Sequence, residues 1–233
     1  MIKDSISATI YGTYDGVEYS YTKIYSGYEY LYPLLEDNNA KLSAVVVDLL
    51  NYGALHQIYT GYKTNALVNA DLTEAEKALG TTTAPSLQTI QNTKQEVIDN
   101  PVAKFVGVTL YLQNAVVVRL TLKCEDLTDV AVKFVVEGKE FTVDAADMVP
   151  VAGYTDRYYV YFTGLRASQL RASVDATACR NGVAISNTLR YSVESYAFDN
   201  QDTTANRLGD LVKSIITYGD SVYAYSRGAA DLQ

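Results

Sequence analysis

The chain has no tryptophan, a single histidine, two cysteines and four prolines among 233 residues. Any Ser-His-Asp triad would have to use His56, which lies on an apolar helical stripe and is predicted to be a packed structural residue. No histidine pair, phosphate-binding loop, dinucleotide-binding glycine pattern or EF-hand loop occurs. A carboxylate pair could serve a glycosidase, but such clefts are usually lined by aromatics, often tryptophan. We therefore expect no enzyme, no cofactor and no metal.

The net charge and the length of the apolar runs limit the classes of partner that the chain is expected to bind. Acidic residues outnumber basic ones 27 to 19, which gives a net charge of −8 and a pI of about 4.7. A nucleic-acid partner is therefore not expected. The longest apolar runs have the length of strands, so no membrane insertion is expected. The first four residues do not begin a signal peptide, which indicates either an intracellular protein or a segment of a longer secreted one.

An internal repeat organises the chain. When the sequence is shifted by 166 residues, segment 7–62 lies over segment 173–228 without a gap, and 13 of the 56 positions are identical. Each copy begins with a dipeptide that favours a type I′ turn, Asp15-Gly16 in the first and Asn181-Gly182 in the second. The repeat therefore predicts a β-hairpin at the start of each copy.

A short helix and then a longer helix are predicted after each hairpin. Apolar residues at spacings of three and four predict the longer helices over 41–59 and 207–225. Gly53 and Gly219 occupy equivalent positions on the two apolar stripes. A mid-helix glycine costs about 1 kcal/mol relative to alanine, so its presence in both copies indicates a close packing contact.

Short strands with regular turn signals are predicted between residues 101 and 190. They are Lys104–Leu112, Ala115–Cys124, Val130–Val136, Glu140–Asp144, Arg157–Thr163, Arg171–Cys179 and Val183–Arg190. This pattern predicts an immunoglobulin-like antiparallel β-sandwich. Cys124 and Cys179 lie near the ends of the second and sixth strands, as in an immunoglobulin disulfide, but Cys179 is out of phase with its apolar neighbours. A disulfide and two unpaired thiols therefore both stay open.

The predicted fold class is thus α+β, an immunoglobulin-like antiparallel β-sandwich combined with small helical units. Four units are expected: a hairpin over 1–24 that ends an upstream repeat unit, a helical unit with a linker over 25–100, the sandwich over 101–190, and a second helical unit over 191–233. The hairpin over 1–24 is alternatively a segment that packs elsewhere.

Tyrosine is strongly enriched, with 21 tyrosines against five phenylalanines. Eight of them fall between residues 11 and 32, and we predict a binding surface formed by Tyr11, Tyr19, Tyr21 and Tyr28. Strand alternation places Tyr19 and Tyr21 on one face, and Tyr11 on the partner strand is expected to extend it. The second copy has Thr177, Ile185 and Asn187 at the positions of Tyr11, Tyr19 and Tyr21, so the shared fold does not require these rings. Burial of the rings against a neighbouring unit stays open.

Several segments carry a resemblance to a known module. They are Leu49-Leu50-Asn51-Tyr52-Gly53-Ala54, Tyr59, Gly61-Tyr62, Asn69-Ala70-Asp71-Leu72, Arg190-Tyr191-Ser192-Val193-Glu194-Ser195-Tyr196-Ala197 and Ile216-Thr217-Tyr218-Gly219-Asp220. With these the chain resembles a repeat module of large secreted or cell-surface proteins of anaerobic Gram-positive gut bacteria. The resemblance carries over no catalytic residue, and at Leu55-His56 the module more often has small residues. It implies an extracellular location, secreted or attached to the cell surface.

These observations predict a non-catalytic binding or adhesion module of a bacterial surface protein. The expected partner is a host protein, with immunoglobulin suggested only because some proteins of such bacteria bind it. A glycan-binding module and a structural spacer domain are the alternatives. The absence of tryptophan favours a protein over a glycan as the ligand.

Overall fold

The computed structural model describes residues 4–37, 39–90, 98–112 and 115–230. The helices are α1 (Gly27–Leu31), α2 (Ala40–Thr60), α3 (Glu74–Lys77), α4 (Val193–Asn200) and α5 (Leu208–Ala230). The strands are β1 (Ser5–Tyr14), β2 (Val17–Ser26), β3 (Lys104–Leu112), β4 (Val116–Lys123), β5 (Val130–Val136), β6 (Lys139–Asp144), β7 (Val149–Pro150), β8 (Arg157–Phe162), β9 (Val174–Arg180), β10 (Val183–Ala184) and β11 (Leu189–Tyr191). Every strand pairing is antiparallel, and the α+β class is confirmed.

Three sheets are present in the described residues. β1 and β2 form a two-stranded hairpin. A second sheet has the order β3-β4-β8-β7, and a third has the order β10-β9-β5-β6 with β11 also paired to β9. Six of the seven strands predicted over 101–190 agree with β3, β4, β5, β6, β8 and β9 to within about three residues at their ends. The seventh, predicted over Val183–Arg190, is instead the two short strands β10 and β11, and β7 was not predicted.

The two larger sheets share one core. Side chains alternate along β5, so that Val130, Val132, Phe134 and Val136 are buried while their neighbours are partly exposed. The ring of Phe134 stacks on Phe162 of β8, in the other sheet, with the ring centroids 4.5 Å apart. The sheets therefore face each other across a layer of apolar side chains.

Neither cysteine forms a disulfide. Cys124 is buried and Cys179 is half-buried, and both are unpaired thiols. Burial raises the pKa of the Cys179 thiol above its ordinary value. Of the two possibilities that the sequence left open, the structure has the free thiols.

The repeat is visible in the helices. Helices α2 and α5, predicted over 41–59 and 207–225, are confirmed, and they pack against each other. Tyr52 of α2 stacks on Tyr218 of α5, with the ring centroids 6.1 Å apart and the planes at 12°. These residues are equivalent in the repeat, and equivalent residues meet where two copies are related by a local two-fold axis. The caps agree as well, since Ser26 caps α1 and Ser192 caps α4.

The helical part is not independent of the sheets. Buried residues of α4 and α5, among them Ala197, Leu211 and Ile215, belong to the same core as β4, β5 and β9. A smaller core lies on the other side of α2, around Val47, Leu50 and Val68. The predicted division into four units stays a prediction, and its residues 1–3, 38, 91–97, 113–114 and 231–233 lie outside the described residues.

We expect Gly219→Leu to lower the free energy of unfolding by about 1–3 kcal/mol through overpacking. A Cβ at Gly219 would lie 2.9 Å from Leu170 Cδ1 and 3.0 Å from the carbonyl oxygen of Ala167, so backbone as well as side chain would have to move. The same substitution is predicted to destabilise at the equivalent Gly53. Gly12→Leu is the control, because a Cβ at Gly12 meets open space. Equal thermal melts for Gly219→Leu and the parent chain would show that this close approach is not needed.

Candidate interaction surfaces

The first candidate surface is one face of the β1–β2 hairpin. The sequence Asp15-Gly16 forms the predicted two-residue turn, with φ values of 51° and 78°, as a type I′ turn requires. This turn pairs Tyr14 with Val17 and fixes the register of the whole hairpin. Directly opposed residues share a face. One face therefore carries Ile6, Ala8, Ile10, Gly12, Tyr14, Val17, Tyr19, Tyr21, Lys23 and Tyr25, here called the apolar face of the hairpin.

The apolar face is open to solvent. Ile10 is 70% exposed, Tyr21 opposite it is 65% exposed, and Tyr19 is 57% exposed. Every residue of β1 and β2 except Ser26 is exposed. Large contiguous apolar surfaces of this kind are unusual on a folded protein unless they bind something. The hairpin is amphipathic, because the opposite face is mainly serine, threonine and glutamate.

The predicted four-tyrosine surface is only partly assembled. Tyr19 and Tyr21 share the apolar face, as predicted. Tyr11 lies opposite Ser20 on the other face, so the expectation that it extends the face of Tyr19 and Tyr21 is wrong. Tyr28 belongs to α1 and packs on Tyr32, and its hydroxyl donates to Asp71 Oδ2 at 2.9 Å. Burial, together with the bond to Asp71, raises the pKa of Tyr28.

Of the ten members of the apolar face, only Tyr19 and Tyr21 were predicted from the sequence. The others include five large exposed side chains, those of Ile6, Ile10, Tyr14, Val17 and Tyr25. The signal for them was available, because a two-residue turn at Asp15-Gly16 defines the face of every residue on both strands.

The base of the hairpin is tied to the loop after α2. Lys63 Nζ lies 2.6 Å from Asp4 Oδ1, and the Tyr62 hydroxyl donates to the same oxygen at 3.1 Å. The hydrogen bond from Lys63 holds the pKa of Asp4 well below its ordinary value. At the same end of the hairpin, where Ser26 pairs with Ser5, the Ser26 hydroxyl accepts from the amide of Glu29, and the Glu29 carboxylate accepts from the amide of Ser26. The start of β1 and the end of β2 are therefore both held at the base of the hairpin.

A second candidate surface lies on the outer face of the β3-β4-β8 sheet. The guanidinium of Arg119 lies 4.6 Å from the ring centroid of Tyr159 and 5.9 Å from that of Tyr111. Tyr161 contacts both rings edge-on, at centroid distances of 6.3 and 5.8 Å. All four side chains are half-buried. This arrangement, called the Arg119 platform below, offers a cation framed by aromatic rings.

The Arg119 platform was not predicted from the sequence. Its members come from three strands, and β4 and β8 become neighbours only in the folded sheet, where Arg119 lies opposite Tyr161. No pattern along the chain indicates that pairing.

His56 is held as a structural residue, as predicted. It is buried, and its Nε2 donates to the carbonyl oxygen of Leu112 at 3.2 Å, joining α2 to the end of β3. The ring also meets Tyr52 edge-on. In the described parts of the chain, no group of three or more histidine, cysteine, aspartate or glutamate side chains is placed to hold a metal ion.

None of the helices in the described ranges is both long and apolar enough to cross a membrane. The chain matches no protein-family model, and no curated protein or solved structure is significantly similar to it.

Proposed function

We propose that the chain is a non-catalytic module that binds another protein through the apolar face of the hairpin. The single observation that carries the proposal is the solvent exposure of Ile10, Tyr19 and Tyr21 on one face of a folded hairpin. Aromatic residues are enriched at the centres of protein interfaces, where a few of them supply most of the binding energy. A fully buried aromatic side chain removes roughly 150–250 Å² from water. Tyr19 and Tyr21 still expose more than half of their surface, so a partner that covers both gains a large part of that area.

The proposed module belongs to the extracellular part of a bacterial surface protein. This location is supported by the resemblance at the two helices that contain Tyr52-Gly53 and Tyr218-Gly219, and by the acidic net charge. The partner class is a host protein, and immunoglobulin is the first candidate to screen.

We further propose that the two larger sheets form a sandwich of the immunoglobulin type. The strands of the immunoglobulin fold are labelled A, B, C, C′, D, E, F and G in chain order. They correspond in turn to β3, β4, β5, β6, β7, β8 and β9, with β10 and β11 together as G. The sheet orders β3-β4-β8-β7 and β6-β5-β9-β10 then read A-B-E-D and C′-C-F-G, which are the orders of that fold. Such sandwiches commonly serve as modules of cell-surface proteins, which agrees with the proposed role.

The test uses three single variants in one hairpin. We expect Tyr19→Ser and Tyr21→Ser to weaken capture of the partner by about tenfold or more, as loss of an aromatic anchor does. Tyr11→Ser is the matched control, because it makes the same change on the opposite face and is expected to bind like the parent. The measurement is surface plasmon resonance against immunoglobulins and mucins, with circular dichroism to verify folding. If all three variants bind every partner of the parent chain equally well, the apolar face is not the site.

A glycan-binding module is the second candidate, and the Arg119 platform is the observation that favours it. Tyrosine rings stack on sugar faces, and Arg119 lies within no ion pair in the described part of the chain, which leaves its charge available for an acidic sugar. On a glycan array, binding lost in Arg119→Gln but kept in Tyr21→Ser would favour this candidate. A chain with neither activity would be a spacer domain.

A further inference from the structure

The repeat shows what covers the apolar face of the hairpin in the second copy. Shifting by 166 residues places Ala8, Ile10 and Gly12 of β1 over Val174, Ala176 and Ala178 of β9. The three residues of β9 are buried in the core between the two larger sheets. Thus the face that is open in the first copy is the core-facing side of a sandwich in the second.

Strand β2 shows the same correspondence with the second copy. Tyr19, Lys23 and Tyr25 correspond to Ile185, Leu189 and Tyr191, which also contact the sandwich core. The register after β10 differs by two residues between the copies, since Leu189 pairs with Ala176 whereas Tyr21 pairs with Ile10. A shift of two keeps every side chain on the same face.

The two edges of β1 also correspond to the two edges of β9, which is a second and independent observation. In the second copy β9 lies between β11 on one side and β5 on the other. In the first copy β1 pairs with β2 only, among the residues that the structure describes. Since the two-residue turn closes on the hydrogen-bonded pair Tyr14–Val17, the backbone groups of Thr9, Tyr11 and Thr13 point to the free edge. These are the residues whose equivalents, Asp175, Thr177 and Cys179, border β5.

We infer that the hairpin is the last pair of strands of a second sandwich, and that its partner is a polypeptide segment built like residues 104–162. One strand of that segment pairs antiparallel with the free edge of β1, as β5 pairs with β9. A sheet like β3-β4-β8 covers the apolar face. This inference deepens the proposed function and rests on it, because it names the class of protein that the apolar face takes.

The side chains also define how the partner differs from residues 104–162. Ile10 stands where the second copy has Ala176, next to Phe134 on β5. The larger Ile10 requires a smaller residue than phenylalanine on the pairing strand, because a close-packed core does not tolerate the extra volume. Within each copy of the chain, β5 is already paired with β9. A second copy could therefore be the partner only if its own β9 were displaced from β5.

The experiment supplies a surrogate partner in the same polypeptide. Residues 99–171 are fused to the N-terminal side of Ile6 and replace residues 1–5, which reproduces the connection that leads into β9. Two versions are made, one with the grafted segment unchanged and one with Phe134→Ala in the grafted copy only. We expect the amides of Thr9, Tyr11 and Thr13 to exchange with deuterium at least about tenfold more slowly in the second version than in the parent chain. Unchanged exchange of these amides in both versions overturns the inference.

A proline substitution at the free edge of β1 distinguishes this inference from the proposed function. Thr9→Pro removes an amide that the hairpin itself does not use, and proline is tolerated at such edge positions. Thr9→Ala is the matched control, since it loses the same hydroxyl contact with Thr22 but keeps the amide. We expect Thr9→Pro, and not Thr9→Ala, to abolish the slowed exchange. A partner that binds Thr9→Pro as tightly as the parent but is lost with Tyr21→Ser would uphold the proposed function and overturn strand completion.

Discussion

Phe134→Ala is expected to lower the free energy of unfolding by about 3–5 kcal/mol. Phe134 is fully buried, and its ring stacks on Phe162 across the two sheets, while Phe141 meets the edge of Phe162 at 5.3 Å. Truncation removes the ring that joins the sheets and leaves a cavity that the strands on either side of β5 cannot close. A loss of this size is a large share of the roughly 5–15 kcal/mol that typically stabilises a domain.

Phe198→Ala is the matched control for this prediction. Phe198 lies on α4 and is 39% exposed, so the same chemical change removes far less buried contact. Urea denaturation followed by circular dichroism gives both free energies. We expect the loss for Phe198→Ala to be at most about 1 kcal/mol, in line with partly exposed sites. Comparable losses in the two variants would mean that the Phe134–Phe162 contact does not hold the sheets together.

Much of the fold follows from local patterns in the sequence. In strand β5, valine or phenylalanine occupies every second position from Val130 to Val136, and the predicted ends of the strand agree with the structure. Asn181-Gly182 adopts the φ values of 49° and 80° that a type I′ turn needs, as Asp15-Gly16 does. Such features depend only on residues near one another in the chain, so periodicity and turn chemistry suffice to predict them.

The candidate surfaces were harder to predict, for two different physical reasons. The face of Tyr11 follows from the turn, because pairing Tyr14 with Val17 places Tyr11 opposite Ser20, and the prediction failed to apply that register. The Arg119 platform depends on which strands become neighbours. That choice is made by the core between the sheets and by long-range pairing, which no local pattern encodes.

Long-range contacts also explain why the helices pack as they do. The sequence indicates an apolar stripe on α2 and on α5, but it does not state that the two stripes meet. Their meeting brings Asp48 of α2 into the interior, where its carboxylate accepts hydrogen bonds from the amide and hydroxyl of Thr81 and from the hydroxyl of Ser221. The segment after α3 is thereby fastened to both helices, a role that the sequence of a polar linker does not predict.

Arg171→Met is expected to lower the free energy of unfolding by about 2–4 kcal/mol. Arg171 donates to both carboxylate oxygens of Asp220, at 2.6 and 2.8 Å, and to the carbonyl oxygen of Ser86 at 3.0 Å, and it forms an ion pair with Glu194. Glu194 is only 8% exposed, so the substitution leaves a buried carboxylate whose remaining partner, among the residues that the structure describes, is the amide of Gln88. Removing one member of a buried pair typically costs about 3–5 kcal/mol, and the partial exposure of Arg171 reduces the expected loss.

Two further variants identify the cause of the loss. Glu194→Gln in the Arg171→Met background removes the stranded charge and is expected to recover part of the stability, because a neutral amide is less costly to bury than a carboxylate. Lys133→Met breaks the ion pair with Glu140 on the sandwich surface and is expected to change stability by at most about 1 kcal/mol. The single variant Glu194→Gln completes a double-mutant cycle, and chemical denaturation of the parent chain, the two single variants and the double variant gives the coupling energy between Arg171 and Glu194. If Arg171→Met costs no more than Lys133→Met, or if Glu194→Gln restores nothing, the buried charge of Glu194 is not what Arg171 compensates.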